Sequence, residues 1–463
     1  MRELAVVGGG MAGLAAAHYW QQQDLALHVT VYEATNRVGG LVRSDPPSPG
    51  SVALEAGPDS LLVRKPAGVA LARQIGLGDD LIVSHPDARG ALIYYGQHLH
   101  PIPPGIVAGV PLHPDRLERT ALLSPAGWDA LVRDLADPAA PLPGDVSLGA
   151  ILRQRLGSEW VDRVAAALLS GIYAGDIDQL SLMATYPELA RALDEYGSLV
   201  RGLVAERAAR APSPGPVFMT LRQGLESLPR ELARQFRGTL ALLTPIDEVL
   251  PEPHGYRLRG AQVDRVVDGV VVATPAWAAA RQLAQLLPDV APLLADVPYA
   301  NLAVVGAHFA PGAIAVPPNM TGILVPQGTD VAMTAVTFVG QKWAYPDPPA
   351  DIPVRVFYGR AGQGDEVLSW SDDEFMDRVS HDLHRVLGSV ALPGDAVVHR
   401  HPRAMPQYLV GHRERIAAIE AQVARHPGLA LAGACYRGVG IPDVVADGER
   451  AARQVLAGLA RTD

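Results

Sequence analysis

Apolar residues along the chain fall into short runs that alternate with glycine turns and helical patterns. Leu4-Ala5-Val6-Val7 has the length and character of a buried parallel strand, and it leads through Gly8-Gly9-Gly10 into Met11-Ala12-Gly13-Leu14-Ala15-Ala16-Ala17, which predicts strand, tight turn and helix in that order. A second strand, His28-Val29-Thr30-Val31-Tyr32, ends in Glu33. In residues 147–171, Ser147 is an N-cap and Leu148, Ile151, Leu152 and Leu156 recur at helical spacing; 115–210 as a whole reads as helical. From 217 the pattern changes. Residues 240–249 read as one strand, Gly269-Val270-Val271-Val272-Ala273 as a buried strand, and strands at 302–309, 321–326, 332–339 and 353–358 as a mixed or antiparallel sheet. Near the far end, Leu429-Ala430-Leu431-Ala432 again leads through glycines into a helix, with Pro442 at its first position and Asp443 in its first turn. Proline-rich joints near 101–114, 137–144, 211–216 and 343–353 divide these segments.

Composition narrows the class. A chain of 463 residues, 48% apolar, predicts two or three domains, and its 46 Gly and 40 Pro are scattered between apolar segments without a period, which excludes a collagen-like or disordered chain. A net charge of −10 lacks the footprint of a nucleic-acid binder. One cysteine, Cys435, excludes an intrachain disulfide and any cysteine-based metal site, and fits a reducing cytoplasm. The opening Met1-Arg2-Glu3 shows no export signal. Two stretches without charged residues, 90–114 and 308–329, hold five and four prolines, so neither is expected to span a membrane as one helix; peripheral contact stays open.

Gly8, Gly10 and Gly13 form GxGxxG: the first for the tight turn, the second for close approach of a pyrophosphate, the third for helix–strand packing. Glu33, twenty residues beyond Gly13, can accept the ribose hydroxyls of an adenosine. The run Glu33-Ala34-Thr35-Asn36-Arg37-Val38-Gly39-Gly40 resembles the second element of the FAD-binding amine-oxidase superfamily, with Gly39 and Gly40 passing close to the diphosphate and Arg37 able to neutralise it.

A more specific resemblance covers residues 4 to 455. Glu55-Ala56-Gly57-Pro58-Asp59-Ser60, Gly171-Ile172-Tyr173-Ala174-Gly175-Asp176, Lys342-Trp343, Gly359-Arg360-Ala361-Gly362, Met405-Pro406-Gln407-Tyr408 and Gly438-Val439-Gly440-Ile441-Pro442-Asp443 are similar, in order, to the signature segments of the protoporphyrinogen/coproporphyrinogen III oxidase family of haem biosynthesis. The resemblance implies an α/β (α+β) fold. Its parts are a discontinuous Rossmann-like FAD-binding domain (1–85, 217–280, 395–463), a mixed-sheet substrate domain (86–114, 281–394) and a helical insertion (115–216) of a kind often associated with membranes. It implies non-covalent FAD, held at Gly8, Gly9, Gly10, Met11, Ala12 and Gly13, then at Glu33, Ala34, Arg37, Gly39 and Gly40. Gly57, Pro58, Asp59 and Ser60 would follow, with Ile246 or Val249 near the adenine, and Gly438, Val439, Gly440, Ile441 and Pro442 at the flavin. There a helix N-terminus would stabilise the negative charge of a reduced flavin.

The reaction implied is six-electron oxidation of a porphyrinogen to a porphyrin by O2, with release of three H2O2. The cofactor would carry the chemistry, and no protein residue is singled out as catalytic. Gly359-Arg360-Ala361-Gly362 and Lys342-Trp343 look closer to the Gram-positive bacterial type, which favours coproporphyrinogen III over protoporphyrinogen IX, and product transfer to a ferrochelatase is compatible with it. Arg64, Lys65 and Arg89 are the candidate cations for substrate carboxylates, Lys65 being one of only two lysines, while Ala91 stands where relatives carry a carboxylate-binding arginine. The HxH pairs His98/His100 and His399/His401 lack a third ligand nearby, so no metal is expected, and His412 reads as structural. The alternatives are another amine oxidase or desaturase, or a non-catalytic porphyrin-binding flavoprotein. The sequence leaves the oligomeric state open.

Overall fold

β1 (Arg2–Val7) is the centre of a five-stranded sheet completed by β2 (Leu27–Tyr32), β3 (Thr239–Ala241), β4 (Gly269–Val272) and β5 (Leu429–Leu431), in the order β3-β2-β1-β4-β5. Every pair is parallel. Such strands are apolar throughout because both faces are covered. Leu4 and Val6 of β1 point to one cluster, with α1 (Met11–Gln21) and α2 (Ile441–Leu459); Ala5 and Val7 point to the other, with Leu283, Leu287 and Val290. The computed structural model describes residues 1–463 apart from 24, 48, 210–214, 389–391 and 462–463, so most of the expected joint at 211–216 lies outside the described residues.

α1 and α2 lie side by side. A Cβ at Gly448 of α2 would stand 2.1 Å from the Ala12 carbonyl oxygen, and Trp20 Nε1 donates to Ala452 O at 3.0 Å. First and last helices thus form one layer, with their N-termini at the same end of the sheet.

The strand expected at 240–249 is broken. β3 stops at Ala241, Leu243 takes a left-handed conformation (φ 54°), and pairing resumes at Glu248–Glu252 in a separate antiparallel sheet with Gly255–Gly260 and Val263–Val267. The break lets Leu243 N donate to Thr35 O and Thr244 N to Glu33 O, which holds the loop after β2.

A second, seven-stranded sheet runs in the order Asp395–Pro406, Tyr299–Phe309, Ile352–Tyr358, Ala335–Phe338, Gly322–Leu324, Ala91–Tyr95, His98–Pro101. Only Gly322–Leu324 and Ala91–Tyr95 pair in parallel. Two expected boundaries move. Residues 395–406 pair along Tyr299–Phe309 and belong to this sheet, whereas Leu283, Leu286, Leu287, Val290, Leu294 and Val297 pack beneath β1 and β4. The crossings therefore fall near Pro298 and Pro406, because strand pairing and apolar burial decide which layer a segment joins.

Between Ala91–Tyr95 and Gly322–Leu324 in the chain lies the helical part, from Pro125–Leu131 to Leu199–Ala209, around Leu148, Leu152, Trp160, Leu189 and Leu193. Ser147 caps Leu148–Leu156, accepting from Ala150 N at 3.2 Å. Among the described residues no helix is long and apolar enough to cross a membrane.

Candidate functional site

The glycine turn after β1 is shaped by what a side chain would strike. Gly8 has φ 105° and a Cβ there would meet Ala273 O at 2.9 Å; a Cβ at Gly13 would lie 2.0 Å from Gly8 O. At Gly10, by contrast, a Cβ would meet nothing within 4 Å. Gly10 begins α1 with no side-chain cap, which leaves the N–H groups of Met11, Ala12 and Gly13 for an anion beside that open face. The Glu33 carboxylate reaches in from the end of β2, accepting from Gly9 N at 2.8 Å and from Thr35 N and Oγ1 at 2.8 and 2.7 Å, with exposed Ala34 beside it. Gly39 (φ 99°) donates its N–H to Gly9 O at 2.8 Å, and Gly40 (φ 59°) comes so close that its Cβ would stand 3.5 Å from Gly10 Cα. Arg37, expected to neutralise a diphosphate, donates to the carbonyls of Val38, Gly40 and Val42 and so braces this loop; burial lowers its pKa.

Residues 55–65 cross this region as a strap. A Cβ at Gly57 would lie 2.2 Å from Leu41 O, directly after Gly40, and Ala56 N donates to Arg43 O. Pro58 leads into Asp59, whose carboxylate receives Lys342 Nζ at 2.7 Å, Arg355 Nη1 at 2.8 Å and Ser60 Oγ at 3.0 Å. Burial alone would raise the Asp59 pKa, but the two cations outweigh it and hold the carboxyl well below its ordinary range. Glu55 shows the reverse: burial pushes it up to about 7 despite hydrogen bonds from Leu225 N and Ser44 Oγ, each 2.7 Å.

At the other end of the cradle, α2 starts at Gly440, again without a side-chain cap, and buries Ile441 and Pro442 in its first turn. Gly438 (φ 144°) donates its N–H to the Tyr408 hydroxyl at 2.7 Å, while that hydroxyl donates to Ala434 O at 2.6 Å. Gln407 Nε2 donates to Tyr173 O at 2.8 Å, Ala361 N to Ala174 O at 2.7 Å, and the Tyr173 and Tyr408 rings lie 5.8 Å apart. Val439 packs against the helical cluster. Segments 171–176, 359–362, 405–408 and 438–443, distant in sequence, thus meet at one point above α2. Burial pushes Tyr173, Tyr186 and Tyr408 well above the ordinary phenol value, so each stays protonated at neutral pH.

The three expected substrate cations are not brought together. Lys65 pairs with Asp443 in the first turn of α2 at 2.8 Å, and exposed Arg64 lies close enough to Tyr186 to act on it electrostatically. Arg89 is exposed just before Ala91–Tyr95, its N–H on Asn319 O. Ile246 and Val249, expected near an adenine, are core side chains packed with Ala5, Val7 and Val270; it is the backbone of Leu243 and Thr244 that reaches the Glu33 loop. His399 and His401 do share a strand face, but His399 is held by Asp45 (2.6 Å) and His401 by Ala56 O (2.7 Å), and His100 lies on Tyr95 O (3.1 Å). Among the described residues no group of three His, Cys, Asp or Glu is placed to hold a metal. His412 is buried and stacked on Tyr408, ring centroids 4.0 Å apart, and burial with Arg415 lowers it to about 4. Sequence reasoning missed Arg355. Its one signal is a guanidinium in the middle of the apolar strand Ile352–Tyr358.

Similarity to known proteins accords with this geometry. The profile described as flavin containing amine oxidoreductase matches residues 11–456. The chain belongs to that family. It is 33% identical to a coproporphyrinogen III oxidase of Bacillus subtilis (strain 168), covering 98% of each chain, and 31% identical to one of Staphylococcus aureus (strain NCTC 8325 / PS 47), covering 99% of this chain and 100% of the other. A crystal structure from Exiguobacterium sp. 255-15, carrying a provisional protoporphyrinogen oxidase name, superposes with a TM-score of 0.87 at 33% identity over 99% of both chains. The chain is thus an oxidoreductase of the flavin amine oxidoreductase family, and a flavin fits the structure: Gly10 presents an open face, α1 and α2 both begin without a side-chain cap, and the Glu33 carboxylate accepts from Gly9 N beside the first of them.

Proposed function

We propose that the chain is an FAD-dependent oxidase that converts coproporphyrinogen III to coproporphyrin III in preference to protoporphyrinogen IX. The observation that carries this reading is the meeting of segments 171–176, 405–408 and 438–443 above α2, in a chain that aligns end to end with coproporphyrinogen III oxidases. When bound, FAD supplies two-electron oxidation of the bridging carbons, repeated three times, with O2 as the final acceptor. The residues of this chain bind and orient. The α1 N-terminus at Gly10 to Gly13 takes the pyrophosphate, Glu33 the ribose, and Gly39 and Gly40 keep backbone close to both. The N-terminus of α2, fixed through Gly438 by the Tyr408 hydroxyl, places N–H groups where negative charge grows as electrons arrive. Tyr173, Tyr186 and Tyr408, with the helical cluster behind them, keep water from the reacting carbons. Arg64 stands at this rim and is the first candidate for a substrate carboxylate. A lone buried cysteine supports residence in a reducing cytoplasm, where a ferrochelatase is the natural acceptor of the product.

Purified protein should be yellow with flavin absorption bands, and coproporphyrinogen III should give growing porphyrin fluorescence with peroxide release at a higher initial rate than protoporphyrinogen IX. Intact FAD without fluorescence from either substrate would falsify the proposal.

A further inference from the structure

Of the 39 basic residues only Lys65 and Lys342 are lysines, and the structure uses both on one segment. Lys342 Nζ binds Asp59 at 2.7 Å; Lys65 Nζ binds Asp443, in the first turn of α2, at 2.8 Å. The residues between cross the cradle from one helix N-terminus to the other. Gly57 runs against Leu41, next to Gly40 and hence Gly10, while Leu61 and Pro442 close from two sides on Gly68.

At the Asp59 end the strap is held from the seven-stranded sheet. Arg355, 1% exposed in Ile352–Tyr358, donates Nε to Glu55 O at 2.7 Å, Nη2 to Gly57 O, and Nη1 to Asp59 at 2.8 Å. His401 of the same sheet lies on the carbonyl between them, Ala56 O, at 2.7 Å. Three consecutive carbonyls and a carboxylate are therefore engaged by two side chains of one sheet. Lys342, in the short helix Val339–Lys342, adds the second cation. With the planar guanidinium already along one side of the carboxylate, the second donor has to be compact, and an ammonium is. Its Nζ also lies 5.0 Å from the Trp343 ring centroid, close enough for a cation–π contact.

We infer that Lys342 and Arg355 are positioning residues for the cofactor: through Asp59 they set where the strap 55–65 lies over the cradle, so the sheet that carries Arg355, with the short helix that carries Lys342, also fixes one wall of the flavin site. The inference rests on the proposed function only for the identity of the bound molecule, FAD. Two cations share one carboxylate, so loss of the Asp59 charge leaves Lys342 and Arg355 facing each other unpaired. Loss of Lys342 leaves Arg355 still paired.

The test is titration of the flavin-stripped full chain with FAD, with the visible band shape of the bound flavin recorded, for Asp59→Asn, Lys342→Met and the double variant. Asp59→Asn should weaken FAD binding at least tenfold and alter the band shape, and Lys342→Met should weaken it severalfold. The double variant should bind FAD better than Asp59→Asn, since it removes the repulsion, but less well than Lys342→Met, because buried Arg355 is still without its carboxylate. With coproporphyrinogen III, Lys342→Met should lower kcat and leave KM within twofold. Wild-type FAD affinity and band shape in both single variants would overturn the inference, and so would a double variant whose loss equals the product of the two. A raised KM with unchanged FAD affinity in Lys342→Met would also overturn it, by making Lys342 a substrate contact. If Asp59→Asn fails to fold, Lys342→Met alone decides by the same criteria. A wild-type chain that binds FAD but oxidises neither porphyrinogen overturns the functional proposal while leaving the FAD titration valid.

Discussion

At Gly10 and Gly13 one added side chain has opposite meanings. Gly10 faces open space, so Gly10→Val should leave the apo fold intact and abolish FAD retention by filling the face a pyrophosphate must approach. Gly13 faces the Gly8 carbonyl at 2.0 Å, so Gly13→Ala should push α1 off the turn and destabilise the apoprotein itself, by on the order of 2–4 kcal/mol. Urea unfolding of both flavin-stripped variants, beside their flavin absorbance, separates the two effects; a Gly10→Val protein that stayed fully yellow would refute the assignment of that face.

The packing of α1 against α2 makes the same argument for a whole element. Gly448 lets the two helices approach to backbone contact, since its Cβ would stand 2.1 Å from Ala12 O and 3.1 Å from the Ala15 Cβ. Gly448→Ala should therefore cost at least about 2 kcal/mol despite the better helix propensity of alanine, and a melting temperature equal to or above wild type would show that the helices can separate freely. Elements of this kind were legible in the sequence because backbone contact permits only glycine: β1, the GxGxxG turn, α1, Glu33 and the start of α2 all lie where the local pattern places them. What was not legible depends on distant partners. The turn at Leu243 is made by hydrogen bonds to Glu33 and Thr35, strand Asp395–Pro406 is claimed by a neighbour about ninety residues earlier, and the Lys342–Asp59 pair spans 283 positions. A surface-like lysine and an unremarkable aspartate carry no periodicity that announces their meeting. Arg37 shows the same dependence on context: beside the charge that suits a diphosphate, its guanidinium braces the loop by donating to the carbonyls of Val38 and Val42, contacts that no sequence pattern announces.

For the molecule as a whole, buried titratable groups set how stability follows pH. His412 stays neutral in the fold down to about 4, whereas an unfolded chain protonates it near the ordinary imidazole value. Between those points the unfolded state binds the extra proton, so stability falls as pH drops from about 6.5 to 4, by up to about 3 kcal/mol from this group. His18 and His401, also lowered by burial, act in the same sense. Glu55 acts oppositely: with its folded pKa raised to about 7, the folded state binds the extra proton, and stability falls as pH rises from about 4.5 to 7. His412→Phe keeps a ring on Tyr408 and removes one titration, so its unfolding free energy should fall less steeply than wild type below pH 6.5. Parallel curves for the two proteins would dismiss His412 as a contributor.

The side-by-side placement of the first and last helices bears also on how the chain is made. The Trp20–Ala452 hydrogen bond closes a loop of 432 residues, so a ribosome delivers α1 long before the surface that covers it exists. Until α2 emerges, Leu14, Ala15 and Trp20 have no permanent cover on that side. The N-terminal strand and turn cannot mature as a unit ahead of the rest, as the leading domain of a linear array can. A newly synthesised chain leaves this face of α1 open to chaperones and proteases until α2 has been made, so cofactor capture has to wait for residues that follow the glycine turn by more than four hundred positions.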